Sequence, residues 1–182
     1  MALRTGDQVN KRIKVQIQGV SPLLMNRFPL VPVEALHKLP PEEQAAHAAY
    51  KAEDGWYYIP GINIQRCLIS AAKFSKGKGR SSLQTEVCAC VIIEPERVRL
   101  PNEKFTIDSR AVVIAATKGR IVRHRPRFDQ WQVGFEIDYD PTLIKGEQLY
   151  KVAQDAGSRV GLLDFRPERK GPFGRFIVTF WK

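Results

Sequence analysis

The chain has 182 residues, a length that suits one domain with a single core. Its 43% hydrophobic and 26% charged residues are those of a soluble globular protein, and the absence of an apolar run of about 18 residues argues against a membrane-spanning helix. The formal net charge of +10 favours acidic partners, nucleic acid ahead of an anionic membrane.

The first residues, MALRTGDQVNKR, contain no apolar stretch of the kind that starts a secretory signal. The three cysteines, Cys67, Cys88 and Cys90, are an odd number and do not make a disulfide framework. Read on a strand, Cys88 and Cys90 point to one face. With His37, His47 and His124 scattered through the chain, no zinc-ligand spacing results. The cysteines are expected to be small apolar residues in a reducing cytoplasm, and neither metal nor cofactor is expected.

In chain order, Arg12 to Val20 alternates apolar Ile13, Val15 and Ile17 with polar residues, the pattern of a half-buried strand. A proline-rich excursion holding Pro22, Pro29, Pro32 and Pro40 follows. Pro41 starts a helix with Glu42 and Glu43 in its first turn, where the helix dipole favours acids, and it runs to the Asp54-Gly55 turn. Tyr57 to Pro60 reads as a short extended piece, and a second helix is expected over 62–74 with Ile62, Cys67, Leu68, Ile69 and Ala72 inward. A basic, glycine-rich loop spans 75–82. Strands are expected over 87–94, 97–100 and 132–139, with a hairpin formed by 112–116 and 120–128. The last helix covers 143–156 and the last strand 173–181.

This order predicts a single α+β domain over 1–182 with a ferredoxin-like (RRM-like) βαββαβ core. An inserted β-hairpin and a helical, proline-rich insertion fall at about 21–56 and 76–130.

The segment between the last helix and the last strand carries Arg159, Arg166, Arg169, Lys170 and Arg175 together with Gly157, Gly161, Gly171 and Gly174. Glycine permits close backbone approach and arginine offers a fork of donors that matches phosphate, so this loop is expected to hold a polyanion. Lys76, Lys78 and Arg80 of the 75–82 loop are expected to join it. On the hairpin strand, the two-residue period places Arg123, Arg125 and Arg127 on one face, a row of like charges that an extended phosphate backbone would relieve. Phe128 and Trp131 follow that row and are candidates for stacking on bases.

Catalytic signals are sparse: no paired carboxylates, nucleophile elbow or Walker lysine occur. His47 or His124 could serve as a base in metal-independent RNA cleavage, the enzymatic alternative to simple binding. A third possibility is a protein-interaction module or inhibitor whose basic face meets an acidic protein.

Three segments resemble the RAMP superfamily, the RNA-binding proteins of CRISPR effector complexes, and the backbone subunits in particular. Tyr58-Ile-Pro-Gly-Ile-Asn-Ile-Gln-Arg66 resembles that family's entry into its first helix, and 157–176 its C-terminal glycine-rich loop. The opening strand running into Val20-Ser-Pro-Leu-Leu24 resembles the family's first strand and its exit. Two departures stand out: Ile62-Asn63-Ile64-Gln65 replaces a small-residue stretch, and no aspartate lies between Asp7 and Asp54, where target-cleaving members carry one. The resemblance implies a non-catalytic, cytoplasmic protein that binds single-stranded RNA, or DNA, and assembles side by side along the strand, with other effector subunits as further partners.

Overall fold

The structure, a computed structural model, describes residues 10–29, 36, 38–77, 79–113 and 119–182. The central sheet is built from β1 (Lys11–Gly19), β4 (Val91–Glu94), β8 (Gln132–Tyr139) and β9 (Phe176–Trp181), in the order β4-β8-β1-β9 with every pair antiparallel. Between β1 and β4 lie β2 (Leu23–Leu24), α1 (Pro41–His47), β3 (Tyr57–Pro60), α2 (Gly61–Ala71) and α3 (Gln84–Cys90). Between β4 and β8 come β5 (Arg97–Leu100), β6 (Thr106–Val113) and β7 (Arg120–Phe128), and α4 (Gly146–Asp155) precedes β9. Taking α2 and α4 as the crossover helices, the core is the ferredoxin-like βαββαβ arrangement that the sequence order predicts.

Alternation in the strands decides which face is covered. Ile13, Val15 and Ile17 of β1 and Val133, Phe135, Ile137 and Tyr139 of β8 all turn to one side, where Ile64, Cys67 and Leu68 of α2 and Leu149, Val152 and Ala153 of α4 close over them. Ile62 turns outward at 50% exposure, because Gly61, Ile64, Cys67, Leu68 and Ala71 form the buried stripe of α2 at helical spacing.

The uncovered face carries Arg12, Lys14 and Gln16 opposite Asp138, Glu136 and Gly134. There Arg12 bridges Glu94 at 3.2 Å, Glu136 at 3.8 Å and Asp138 at 3.3 Å. Lys182 pairs backbone to backbone with Lys14, so Arg12, Lys14 and Lys182 stand with Glu94, Glu136 and Asp138, and this part of the sheet has no excess of cations to offer phosphate.

The insertions build two smaller sheets, β2-β7-β6 and β3-β5. β7 pairs with β6 along its full length, from Arg120 opposite Val113 to Arg127 opposite Thr106, and the turn of that hairpin lies outside the described residues. α1 stops at His47, shorter than its apolar pattern predicts; Ala49 is buried, and Tyr50 accepts a backbone hydrogen bond from Tyr58.

One local assignment reverses. Residues 84–90 form α3 instead of the start of a strand, so Cys88 is exposed and Cys90 buried, roughly opposite each other on a helix. Val87 and Cys90 pack inward there, and only Val91–Glu94 joins the sheet.

Candidate nucleic-acid interface

The last helix does not end cleanly at Asp155. It runs into a π-helical turn, Ala156–Val160, and stops at Gly161, whose φ of 76° opens the loop. A Cβ on Gly157 would strike the Phe176 carbonyl, so the turn and β9 meet at backbone distance. The loop then folds back on itself. Leu162 N–H donates to the Gly174 carbonyl at 2.9 Å, and Phe173 N–H to that of Phe165 at 3.2 Å. It is also sewn to the segment that leaves β1: Asp164 N–H donates to Leu24 at 3.0 Å, Gly174 N–H to Pro22 at 2.8 Å, and Arg175 N–H to the Ser21 hydroxyl at 2.9 Å.

This zipper corrects the expected role of the glycines. Gly171 and Gly174 are buried, and a Cβ on either would collide with a loop carbonyl, that of Phe165 or of Leu162. They let the two limbs of the loop approach each other, not a ligand. Leu163, Phe165 and Lys170 take left-handed backbone angles of 60°, 47° and 60°. Each such non-glycine residue costs on the order of 1 kcal/mol, a cost sustained only where the surroundings impose the conformation.

Between this loop, the first turns of α2 and the chain leaving β2 lies a cleft of about 300 Å³, lined by Asn26, Tyr50, Asn63, Arg66, Cys67, Asp164, Arg166 and Arg169. Arg166 is the most constrained of these cations. Its Nη2 and Nε donate to Glu168 at 2.7 and 3.2 Å, and its Nη1 to the Leu163 carbonyl at 2.9 Å. Partial burial works to raise the pKa of Glu168, but hydrogen bonds from Arg166 and Ser70 and the charges of Arg166 and Lys73 outweigh it and hold the carboxyl below its ordinary value. Arg166 therefore frames the cleft more than it fills it.

Arg66, Arg169 and Lys170 are exposed and form no ion pair with any described residue. Arg66 is absent from the residues that sequence reasoning selects. Only its place one turn along α2, after the Pro60-Gly61 entry, could have marked it. Burial dominates at Cys67 and pushes its thiol above the ordinary range, Arg166 lowering and Glu168 raising it to smaller extents, and its Sγ donates to the Gly161 carbonyl at 3.2 Å.

The arginine row on β7 is dismantled. Arg125 is buried at 5% exposure and donates to Asp108 at 3.3 Å and to Asp164 at 2.6 Å. Arg127 pairs with Asp129 at 2.6 Å and lies over the Phe173 ring at 5.9 Å. Arg123 alone of the three keeps a half-exposed side chain without an ion pair among the described residues, beside His47 and His124. The row is broken as a phosphate track, because Arg125 is buried at the junction with the C-terminal loop and held there by Asp108 and Asp164.

Phe128 and Trp131 are likewise withdrawn as stacking residues. They are 1% and 4% exposed, Phe128 against Tyr57 and Phe105, and Trp131 against Phe176 with its Nε1 donating to the Ser21 carbonyl at 2.8 Å. Of the remaining candidates, Arg159 pairs with Asp155 at 3.1 Å and covers the Phe74 ring at 4.7 Å. Arg175 donates to the Ser158 carbonyl at 2.5 Å. Lys76 and Arg80 stand exposed on a loop closed by a Lys76–Ser82 bridge, and Lys78 lies outside the described residues. Among the described residues no cluster of metal-ligating side chains occurs, and no helix is long and apolar enough to cross a membrane.

No protein-family model matches the chain, and no curated protein sequence does. Among solved structures, it is similar to a chain in the cryo-EM structure of the Type III-B Cmr-beta bound to cognate target RNA, with a TM-score of 0.58 and 12% identity. The match covers 95% of this chain but 60% of that one, so the chain spans about three-fifths of the neighbour's length.

Proposed function

We propose that the protein binds single-stranded RNA without cutting it, as a backbone-type subunit of a CRISPR effector complex, with phosphates seated in the cleft between α2 and the C-terminal loop. The observation that carries this reading is the cleft itself. Arg66 and Arg169 reach it from two elements far apart in sequence, carry no carboxylate partner among the described residues, and flank an Arg166 already fixed by Glu168. Asp164, the carboxylate that lines the cleft, is already taken by Arg125 at 2.6 Å, so Arg66 and Arg169 suit a polyanion. The fold likeness to a chain of an RNA-bound complex and the net charge of +10 support the same reading. The free outer edges of β4 and β9, neither paired further among the described residues, are where neighbouring subunits could meet.

Filter binding of an oligouridine across a salt series tests the cleft. Replacing Arg66 and Arg169 by alanine together should weaken binding by about tenfold or more at low salt and lower the slope of log K against log[salt] by about 1.4, near 0.7 for each phosphate no longer neutralised. Unchanged affinity and slope in a variant of unaltered unfolding midpoint would remove the cleft from the interface. Competition with the matching oligodeoxyuridine decides between RNA and DNA.

Metal-independent cleavage is a second reading, favoured by one observation: His47 and His124 line the same small cleft with Arg123, and His124 Nδ1 lies 2.7 Å from the Ser109 hydroxyl. If the protein only binds RNA, labelled hairpin RNA incubated in EDTA stays intact, and discrete products lost in His47→Ala or His124→Ala would reverse the assignment.

A further inference from the structure

Beside the cleft, the outward face of the β3–β5 ribbon carries an aromatic strip. Tyr57 and Ile59 turn into the core at 7% and 0% exposure, so strand alternation puts Trp56 and Tyr58 on the other side, both half-buried. Across the ladder, Tyr58 stands opposite Arg99 and Pro60 opposite Arg97. Arg97 lies over the Tyr58 ring at 5.5 Å, and Arg99 over that of Trp56 at 5.9 Å. The rings of Trp56 and Tyr58 are 5.8 Å apart, and Tyr58 is 5.8 Å from Tyr50. Tyr50 in turn lines the cleft. Trp56, Tyr58 and Tyr50 thus form a continuous path into the site that holds Arg66 and Arg169.

Trp56 and Tyr58 are partly exposed rings outside the core, continued by Tyr50, which packs against it; edged by arginines that form no ion pair among the described residues, they are an unusual surface to leave to water. An arginine stacked on a ring still directs donors outward, toward phosphate, while a free ring face or edge accepts a base. A protein partner could also use such rings, but the uncompensated cations and the continuity with the cleft favour a nucleic-acid strand.

We propose that the Trp56–Tyr58–Tyr50 strip, edged by Arg97 and Arg99, is a sequence-tolerant stacking platform for bases of the single strand whose phosphates occupy the cleft. The proposal rests on the RNA-binding reading and adds to it the site where bases are held.

Two oligonucleotides of equal length, an oligouridine and its fully abasic counterpart, separate the contributions. Trp56→Ala with Tyr58→Ala should weaken oligouridine binding by about tenfold, as expected when base–aromatic stacking is removed, and leave abasic binding unchanged. Arg66→Ala with Arg169→Ala should weaken both. Loss of affinity for neither oligonucleotide, or equal loss for both, in the aromatic variant overturns the platform. So does retained RNA affinity with altered self-association, which would make the strip a protein-binding surface. Wild-type protein that binds neither oligonucleotide overturns the RNA-binding reading, and the platform with it. Ultraviolet crosslinking of wild-type protein to the oligouridine needs no variant to fold: adducts at Trp56 or Tyr58 are expected, and adducts found only elsewhere would refute the proposal.

Discussion

Arg125→Ala is expected to destabilise the protein by about 3–5 kcal/mol, the usual consequence of removing one member of a buried charge cluster. For a domain of this size that lowers the thermal midpoint by roughly 10 °C. Arg125 and Asp108 are 5% and 6% exposed, and Asp164, 39 residues further along the chain, completes the cluster at 2.6 Å. Deleting the guanidinium leaves Asp108 buried with only the exposed Arg110 for company at 2.8 Å, and it cuts the link between β7 and the C-terminal loop. Arg123→Ala, two residues away on the same strand, breaks no ion pair among the described residues and should shift stability by no more than about 0.5 kcal/mol. Paired thermal melts of the two variants distinguish a structural arginine from a surface one. Equal melting temperatures would mean that Arg125 is not the buried tie described.

Gly171→Ala is expected to cost about 1–3 kcal/mol, because an added methyl meets backbone and no flexible side chain can give way. Its Cβ would overlap the carbonyl oxygen and carbon of Phe165 and force apart the limbs joined by the Phe173 N–H bond to Phe165. Arg166 and Arg169 would move with the tip of the loop, so RNA affinity should fall by about tenfold, the effect of losing one hydrogen bond to a charged group. Gly134→Ala is the control. Its Cβ would find only the Val15 carbonyl at 3.8 Å, an ordinary van der Waals distance, and both stability and binding should stay near wild type. Denaturant melts and filter binding on the pair suffice. A Gly171→Ala protein with wild-type binding and stability would show that the loop's closed form is not the one that grips RNA.

Much of the fold was readable in the sequence because its signals are local. Strict alternation marked β1 and β8 almost to the residue, and Pro60-Gly61 marked the end of the Tyr57–Pro60 strand and, within one residue, the start of the helix at Gly61. The glycine-rich loop was also visible as a composition, and its place between the last helix and last strand holds. Where apolar residues ran together without a clear period, at 87–94, only 91–94 proved to be strand: Val87 and Cys90 suit a helix face as well as a strand, and only packing decides.

The functional side chains divide along the same line. From sequence, Arg123, Arg125 and Arg127 are equivalent, and Phe128 and Trp131 are as available as Tyr58. The tertiary structure separates them, because charge and burial depend on partners distant along the chain: Asp108 and Asp164 for Arg125, Tyr57 for Phe128, Ser21 and Phe176 for Trp131. Arg66 gains its importance in the same way, from Arg169 across the cleft.

The amino-acid sequence by itself determined the core βαββαβ order, the basic balance and the glycine-rich loop before the last strand, since hydrophobic period, charge and glycine content are properties of neighbouring residues. Which cations remain free for a phosphate, and which aromatics remain free for a base, was decided by the tertiary structure alone. Desolvation and ion pairing act between surfaces that meet only when the sheet, the hairpin and the loop close together.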